Sequence, residues 1–159
     1  MQKYAYINIT WIPKEPGLNI ICSIGLTNLG FSTDQSCRTL AVGDVAPKPS
    51  NITAYPTGLV FSNQTVWSIS ADQELTSPSK NSLIKFYELD TNNLVYFVNV
   101  TNSDEATILN KTIKFTTKQF LENYKSYYIN FDSGVFKSKV GCKLETEDWK
   151  DSGFWSFIV

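Results

Sequence analysis

Five Asn-x-Thr triplets stand out among the residues of this chain that could do chemistry. They begin at Asn8, Asn51, Asn63, Asn99 and Asn110; none has proline in the middle, and no Asn-x-Ser triplet accompanies them. With 13 asparagines and 15 threonines in 159 residues, chance supplies about one such triplet. Each is an acceptor for an N-linked glycan, which needs a surface position and a secretory route. At least three of the five are expected to be occupied. Strand alternation sets Asn8 opposite Ile7, Ile9 and Trp11. It gives Asn110 the parity of Thr112, Lys114 and Thr116, opposite Ile113 and Phe115. Both are therefore expected to face solvent.

The cysteines come next. Cys22 and Cys37 are centred on the turn Asn28-Leu29-Gly30-Phe31, so a hairpin about that turn sets them directly opposite each other, where a cross-strand disulfide can form. Cys142 is then the odd one, and in a secreted chain an odd cysteine points to an intermolecular bridge or to a partner outside this fragment. Acidic pairs occur at Asp72/Glu74 and Glu145/Glu147/Asp148, with Asp132 nearby. Calcium needs several converging oxygens, and these residues read more simply as solvated loop carboxylates. No metal or other cofactor is expected. Among the aromatics Tyr55, Trp67, Tyr87, Tyr96, Trp149 and Trp155, most are expected in the core. Trp149, in a polar loop, is the best candidate for an exposed sugar-stacking ring.

Much else is excluded. Histidine is absent, which removes imidazole bases, histidine metal ligands and a histidine pH switch. There is no phosphate-cradling glycine loop and no Cys-x-x-Cys, so no enzyme is expected. Fourteen Lys+Arg balance 15 Asp+Glu, for a net charge of -1, which offers nothing to nucleic acid or an anionic membrane. No stretch approaches the ~20 apolar residues of a membrane span. Charged residues are 18% against roughly 25% in ordinary domains; serine, threonine and asparagine take their place. Met1 is followed by Gln2, Lys3 and a strand-like run rather than an apolar signal segment. If the protein is secreted, this chain is expected to be a mature fragment.

The elements that must carry these residues are almost all strands. Short β-branched and aromatic runs alternate with Gly, Pro, Asn, Asp and Ser clusters. In the first part the runs are Tyr4–Ile12, Leu18–Thr27 and Ser36–Val42. Gly43–Ser50, with two prolines and a glycine, reads as a linker. Seven runs follow: Leu59–Phe61, Thr65–Ser70, Leu83–Leu89, Leu94–Val100, Thr107–Thr116, Tyr127–Phe131 and Phe154–Val159. Only Thr117–Tyr124 has helical composition, enough for a turn or two. The expectation is an all-β chain of antiparallel sandwich modules, 1–48 and 49–159. The first module, with three strands, cannot bury its apolar face alone.

The tail Tyr127-Tyr128-Ile129-Asn130-Phe131-Asp132-Ser133-Gly134-Val135-Phe136, then Val140-Gly141-Cys142, then Phe154-Trp155-Ser156-Phe157, resembles the end of an SbsA-type Ig-like module. Tyr55-Pro56 and Val66 to Leu75 fit such a module's opening. The match covers about 49–159. Thr10-Trp11-x-Pro13, Gly17 to Ile24 and Ser36-Cys37 to Val42 are similar to the last three strands of an Ig or fibronectin-like repeat. The resemblance implies tandem Ig-like β-sandwich modules in a surface, adhesive or matrix protein, without catalytic residues.

Together these features predict a structural subunit of a heavily N-glycosylated extracellular or cell-surface assembly from a eukaryotic secretory pathway. Its partners would be copies of itself in a linear polymer or neighbouring modules of a longer chain. The apolar end Phe154–Val159 is expected to donate a strand to the next copy's first module. The alternative is a carbohydrate-binding or adhesion module centred on Trp149.

Overall fold

The computed structural model describes residues 17–23, 36–42, 45–102, 104–119 and 121–159, and among them the chain is all-β, with no helix. No helix long and apolar enough to cross a membrane occurs among those residues. The chain divides into two compact units, Met1–Asp44 and Val45–Val159.

In the first unit β1 (Gly17–Ser23) pairs antiparallel with β2 (Ser36–Val42), with Cys22 directly opposite Cys37. The Ile20 side chain is 69% exposed. The expected strand Tyr4–Ile12, with Asn8, Ile9 and Trp11, lies outside the described residues.

In the second unit alternation writes the sheets. β5 (Val66–Ala71) buries Trp67, Ile69 and Ala71, and β10 (Thr112–Thr116) buries Ile113 and Phe115. In register, Ile113 lies across from Ile69 and Phe115 across from Trp67. β3 (Pro49–Tyr55) and β9 (Ala106–Leu109) flank this pair, giving the order β3-β5-β10-β9. The second sheet has the order β4-β13-β11-β7-β8, built from β4 (Gly58–Leu59), β13 (Ser156–Ile158), β11 (Ser126–Phe131), β7 (Leu83–Glu88) and β8 (Leu94–Asn99). All large-sheet pairings are antiparallel except β13 with β4, which is parallel. Short β6 (Leu75–Thr76) and β12 (Lys137–Ser138) pair separately.

The two large sheets meet face to face as a β-sandwich. Trp67 of the first packs edge-on against Phe86 of the second at 5.1 Å and tilts against Phe157 at 4.9 Å. Phe115 meets Trp155 at 5.9 Å, and the Trp155 indole N–H donates to the Pro56 carbonyl at 2.9 Å. Each such fully buried side chain contributes about 1.5–3 kcal/mol. The chain changes sheet between β3 and β4, at the cis Tyr55–Pro56 bond and Gly58, whose φ of +74° suits glycine. At the start of β11, the buried Tyr127 hydroxyl accepts the Glu122 backbone N–H at 3.1 Å.

Several expectations need correction. The run Thr107–Thr116 is two strands, not one; Asn110-Lys111 is the two-residue hairpin loop between β9 and β10. The parity argument for Asn110 therefore fails, although its side chain is exposed all the same. Thr117–Tyr124 forms no helical turn among its described residues: the Thr117 N–H is taken by the Thr65 carbonyl, and the Leu121 N–H by that of Ser62. From Val45 onward the expected linker belongs to the second unit. Gln73 donates to the Val45 carbonyl at 2.9 Å, and Lys48 and Asp72 exchange two bonds. Finally, the expected donor segment Phe154–Val159 is committed within its own sheet. β13 lies between β4 and β11, with Phe157 and Val159 buried.

Candidate functional site

The four described sequon asparagines occupy one end each of the two large sheets. Asn51 is exposed on β3, a terminal strand of the first sheet, and Asn110 is exposed in the turn leaving β9, the other terminal strand. Asn63 is exposed in the turn that follows β4, and Asn99 closes β8; those two strands terminate the second sheet. Asn8 lies outside the described residues.

Local chemistry fixes each position. Around Asn51 the β3–β5 register slips between Ser50 and Tyr55, and the Thr53 hydroxyl fills the gap, accepting the Ser70 N–H at 2.9 Å and donating to the Ser50 carbonyl at 2.7 Å. Asn63 is the third residue of a turn closed by the Gln64 N–H on the Phe61 carbonyl at 2.9 Å. Asn110 takes a φ of 53°, a conformation asparagine tolerates better than most residues, and its carbonyl accepts the Leu75 N–H at 2.7 Å. Asn99 is half-buried. Its Oδ1 accepts the Thr101 N–H at 3.0 Å and the Thr101 hydroxyl at 2.7 Å, an Asx-type turn that leaves the amide nitrogen outside those bonds.

Cys22 and Cys37 are disulfide-bonded, with Cα atoms 4.0 Å apart across the β1–β2 ladder. Cys142 is half-buried in the loop after β12. Trp149 does not present the open ring expected of a sugar platform. It bridges to Phe131, packs on Phe154 at 5.0 Å, and buries its indole nitrogen without a hydrogen-bond partner. Of the other aromatics, Trp67 and Trp155 are core, Tyr96 is half-buried and accepts the Lys118 N–H, and Tyr55 is exposed. Tyr87 stacks on Tyr128 at 5.2 Å, beside a groove of about 440 Å³ that also takes in Asn130 and Lys150.

Most of the loop carboxylates are engaged, and Glu147 is exposed. Glu145 accepts the Ser79 N–H at 2.8 Å, which with Lys137 nearby holds its carboxyl below the ordinary range. Lys150, at 2.8 Å, and the Ser133 N–H lower Asp148 in the same way. Asp132 pairs with Lys85 at 2.6 Å and Glu74 with Lys139 at 3.1 Å. Among the described residues no three of His, Cys, Asp and Glu converge on one point. Gly134, at φ +85°, seats the Asp132-Ser133-Gly134 turn where a Cβ would come within 2.9 Å of the Ser82 hydroxyl and 3.1 Å of Glu145. Burial raises the Tyr127 and Tyr128 hydroxyls above the usual phenol range.

Compared with protein-family models, with curated proteins and with solved structures, the chain matches none.

Proposed function

We propose that this chain is a structural, N-glycosylated extracellular protein of tandem Ig-like modules, its glycans carried at the ends of the sheets. The observation that carries the reading is the placement of the sequons: each end of the two large sheets holds one. Open sheet ends present unpaired backbone groups that invite association with other chains, and secreted β proteins must cover or charge them. A glycan there is bulky and solvating.

The Ig-like part of the proposal draws on strand order. Such sandwiches set strands A, B, E and D in one sheet and C, F and G in the other. Taking β3, β5, β7, β9, β10, β11 and β13 as A to G gives A-B-E-D and G-F-C, with β8 as an added C′ strand and β4 as a second piece of A alongside G. Tyr127 near the start of β11, bonded back to Glu122, matches the tyrosine corner of that architecture. In this reading the first unit is joined by another copy or by a neighbouring module. The joint does not use Phe154–Val159, which its own sheet holds.

Expression of the whole chain in a secreting eukaryotic host, followed by peptide mass spectrometry and sedimentation, tests the proposal. At least three occupied sequons are expected, together with self-association through the first unit. Asn8, Asn99 and Asn110 all bare would overturn the extracellular reading. A glycosylated monomer at all concentrations would overturn self-assembly.

One observation favours a second reading, carbohydrate binding: the Tyr87–Tyr128 stack beside a groove containing Asn130 and Lys150. Glycan-array binding abolished by Tyr87→Ala and retained in Trp149→Ala would support it.

A further inference from the structure

The turn after β4 brings an acceptor asparagine and an exposed aromatic ring onto one groove. Phe61-Ser62-Asn63-Gln64-Thr65 reads as a sequon with phenylalanine two residues before the asparagine. The Phe61 side chain is 82% exposed and that of Leu59 is 85% exposed. Covering such side chains removes apolar area from water, which is favourable. With Val60, Ser62, Asn63, Asn123 and Val159, they line a groove of about 540 Å³, within the ~300–1,000 Å³ of small-molecule sites. The turn is held from both sides. The Gln64 N–H closes it on Phe61, the Leu121 N–H meets the Ser62 carbonyl at 3.1 Å, and the Thr117 N–H meets that of Thr65 at 2.9 Å.

We propose that this groove is a built-in binding site for the first N-acetylhexosamine of the glycan on Asn63, whose C–H face lies against the Phe61 ring. The inference rests on the glycosylated reading given above. Its physical case is tethering. The sugar's attachment atom belongs to a residue of the groove wall, so a contact too weak to hold a free sugar operates at an effective concentration in the millimolar range or above. The rigid turn leaves little further ordering to be done on contact. The apolar face of a pyranose fits an aromatic ring and an aliphatic neighbour, and the acetamido group can reach the polar wall at Asn123.

The test uses the full chain from a secreting host, trimmed enzymatically to one sugar per site, beside its Thr65→Ala counterpart, which lacks the Asn63 acceptor. Each is made with Phe61 intact, with Phe61→Leu and with Phe61→Trp. Where the ring is kept, in the parent and in Phe61→Trp, the sugar is expected to raise Tm by about 4 °C, and its ring-facing protons are expected to shift upfield in NMR. In Phe61→Leu both effects disappear. Phe61 is exposed, so these variants fold. Asn63 occupied but stabilised equally in Phe61→Leu overturns this inference and leaves the glycoprotein reading standing. Asn63 bare in peptide mass spectra overturns both at this site. A fully glycosylated dimer that Phe61→Leu dissolves assigns the groove to a second copy and overturns the sugar as its occupant.

Discussion

Removing one oxygen from the second unit tests its architecture most directly. Tyr127→Phe leaves the ring in place, stacked on Phe157 at 5.7 Å and almost fully buried. Only the hydroxyl is lost, and with it the acceptor for the Glu122 N–H at 3.1 Å. The net worth of such a bond is about 1 kcal/mol, and leaving a part-buried N–H unpaired adds to that. A loss of about 1–2 kcal/mol is expected. In a domain of this size it lowers Tm by roughly 4–8 °C. Urea unfolding monitored by tryptophan fluorescence measures it. The midpoint should fall while the slope against urea stays constant, because the buried surface is unchanged. A loss below about 0.5 kcal/mol, the scatter of ordinary surface changes, would refute the hydroxyl as the tie between β11 and the chain before it. The same group gives an independent readout. Burial raises the Tyr127 and Tyr128 hydroxyls, so the folded state keeps protons that the unfolded state loses near pH ~10. Stability should therefore fall as pH rises above that value, and Tyr127→Phe should flatten the decline.

Four further outcomes are expected. Glu145, held below its usual range first by the Ser79 N–H, Asp148 by Lys150 and Glu88 by Lys125, contribute stability that is present above about pH 4 and lost as pH falls through their lowered values. Urea midpoints should therefore drop in acid, less steeply in Glu145→Gln, and a flat profile from pH 6 to the acid limit would contradict this. Ile113→Val in the core should cost about 0.5–1.5 kcal/mol, whereas Ile52→Val, at a side chain 92% exposed, should stay within about 0.5 kcal/mol. Non-reducing peptide mapping should recover Cys22 linked to Cys37. Cys22→Ser with Cys37→Ser should remove about 3 kcal/mol from the first unit, leaving the urea transition of the second in place; loss of the second transition would couple the units.

How much of this was legible in the residues depends on how much of a strand's pattern is periodic. Trp67/Ile69, Ile84/Phe86 and Ile113/Phe115 alternate with polar neighbours and are core, so β5 and β7 were readable to within a residue or so, and so was the end of β10. The break inside Thr107–Thr116 was not, because Asn110-Lys111 lacks the glycine that usually announces a two-residue hairpin, and apolar residues continue on both sides. β3 was hidden by its prolines. Pro47 and Pro49 suggest a linker, yet a proline at the first position of a terminal strand costs the sheet nothing. β6 and β12, of two residues each, are too short to carry a period. Trp149 misleads for a different reason. Glu147, Asp148, Lys150 and Asp151 make its surroundings polar in sequence, while the bridge to Phe131 turns the ring toward Phe154. Tyr127 had a usable signal, a tyrosine at the head of an aromatic strand after a polar loop, but its role depends on a backbone group that no side-chain pattern records.

The exposed apolar side chains connect the sheet order to the sequons. Ile52 on β3, Leu59 on β4, Leu94 and Phe97 on β8 and Leu109 on β9 are all exposed, and these are the four terminal strands of the two large sheets. Such ends would ordinarily be blunted by lysine, proline or a bulge. Here β3 has a proline and a register slip, but β4 has neither lysine nor proline in its two residues. What each of the four ends has in common is an asparagine in an acceptor triplet within four residues of one of its exposed apolar side chains: Asn51 by Ile52, Asn63 by Leu59, Asn99 by Phe97 and Asn110 by Leu109. A chain that relied on charge for solubility would have placed it there, and this one is below average in charge. Under the glycosylated reading the sugars do the work of that missing charge. Under the same reading the terminal strands of the sandwich are screened by sugar, while in the first unit β1 leaves Ile20 exposed.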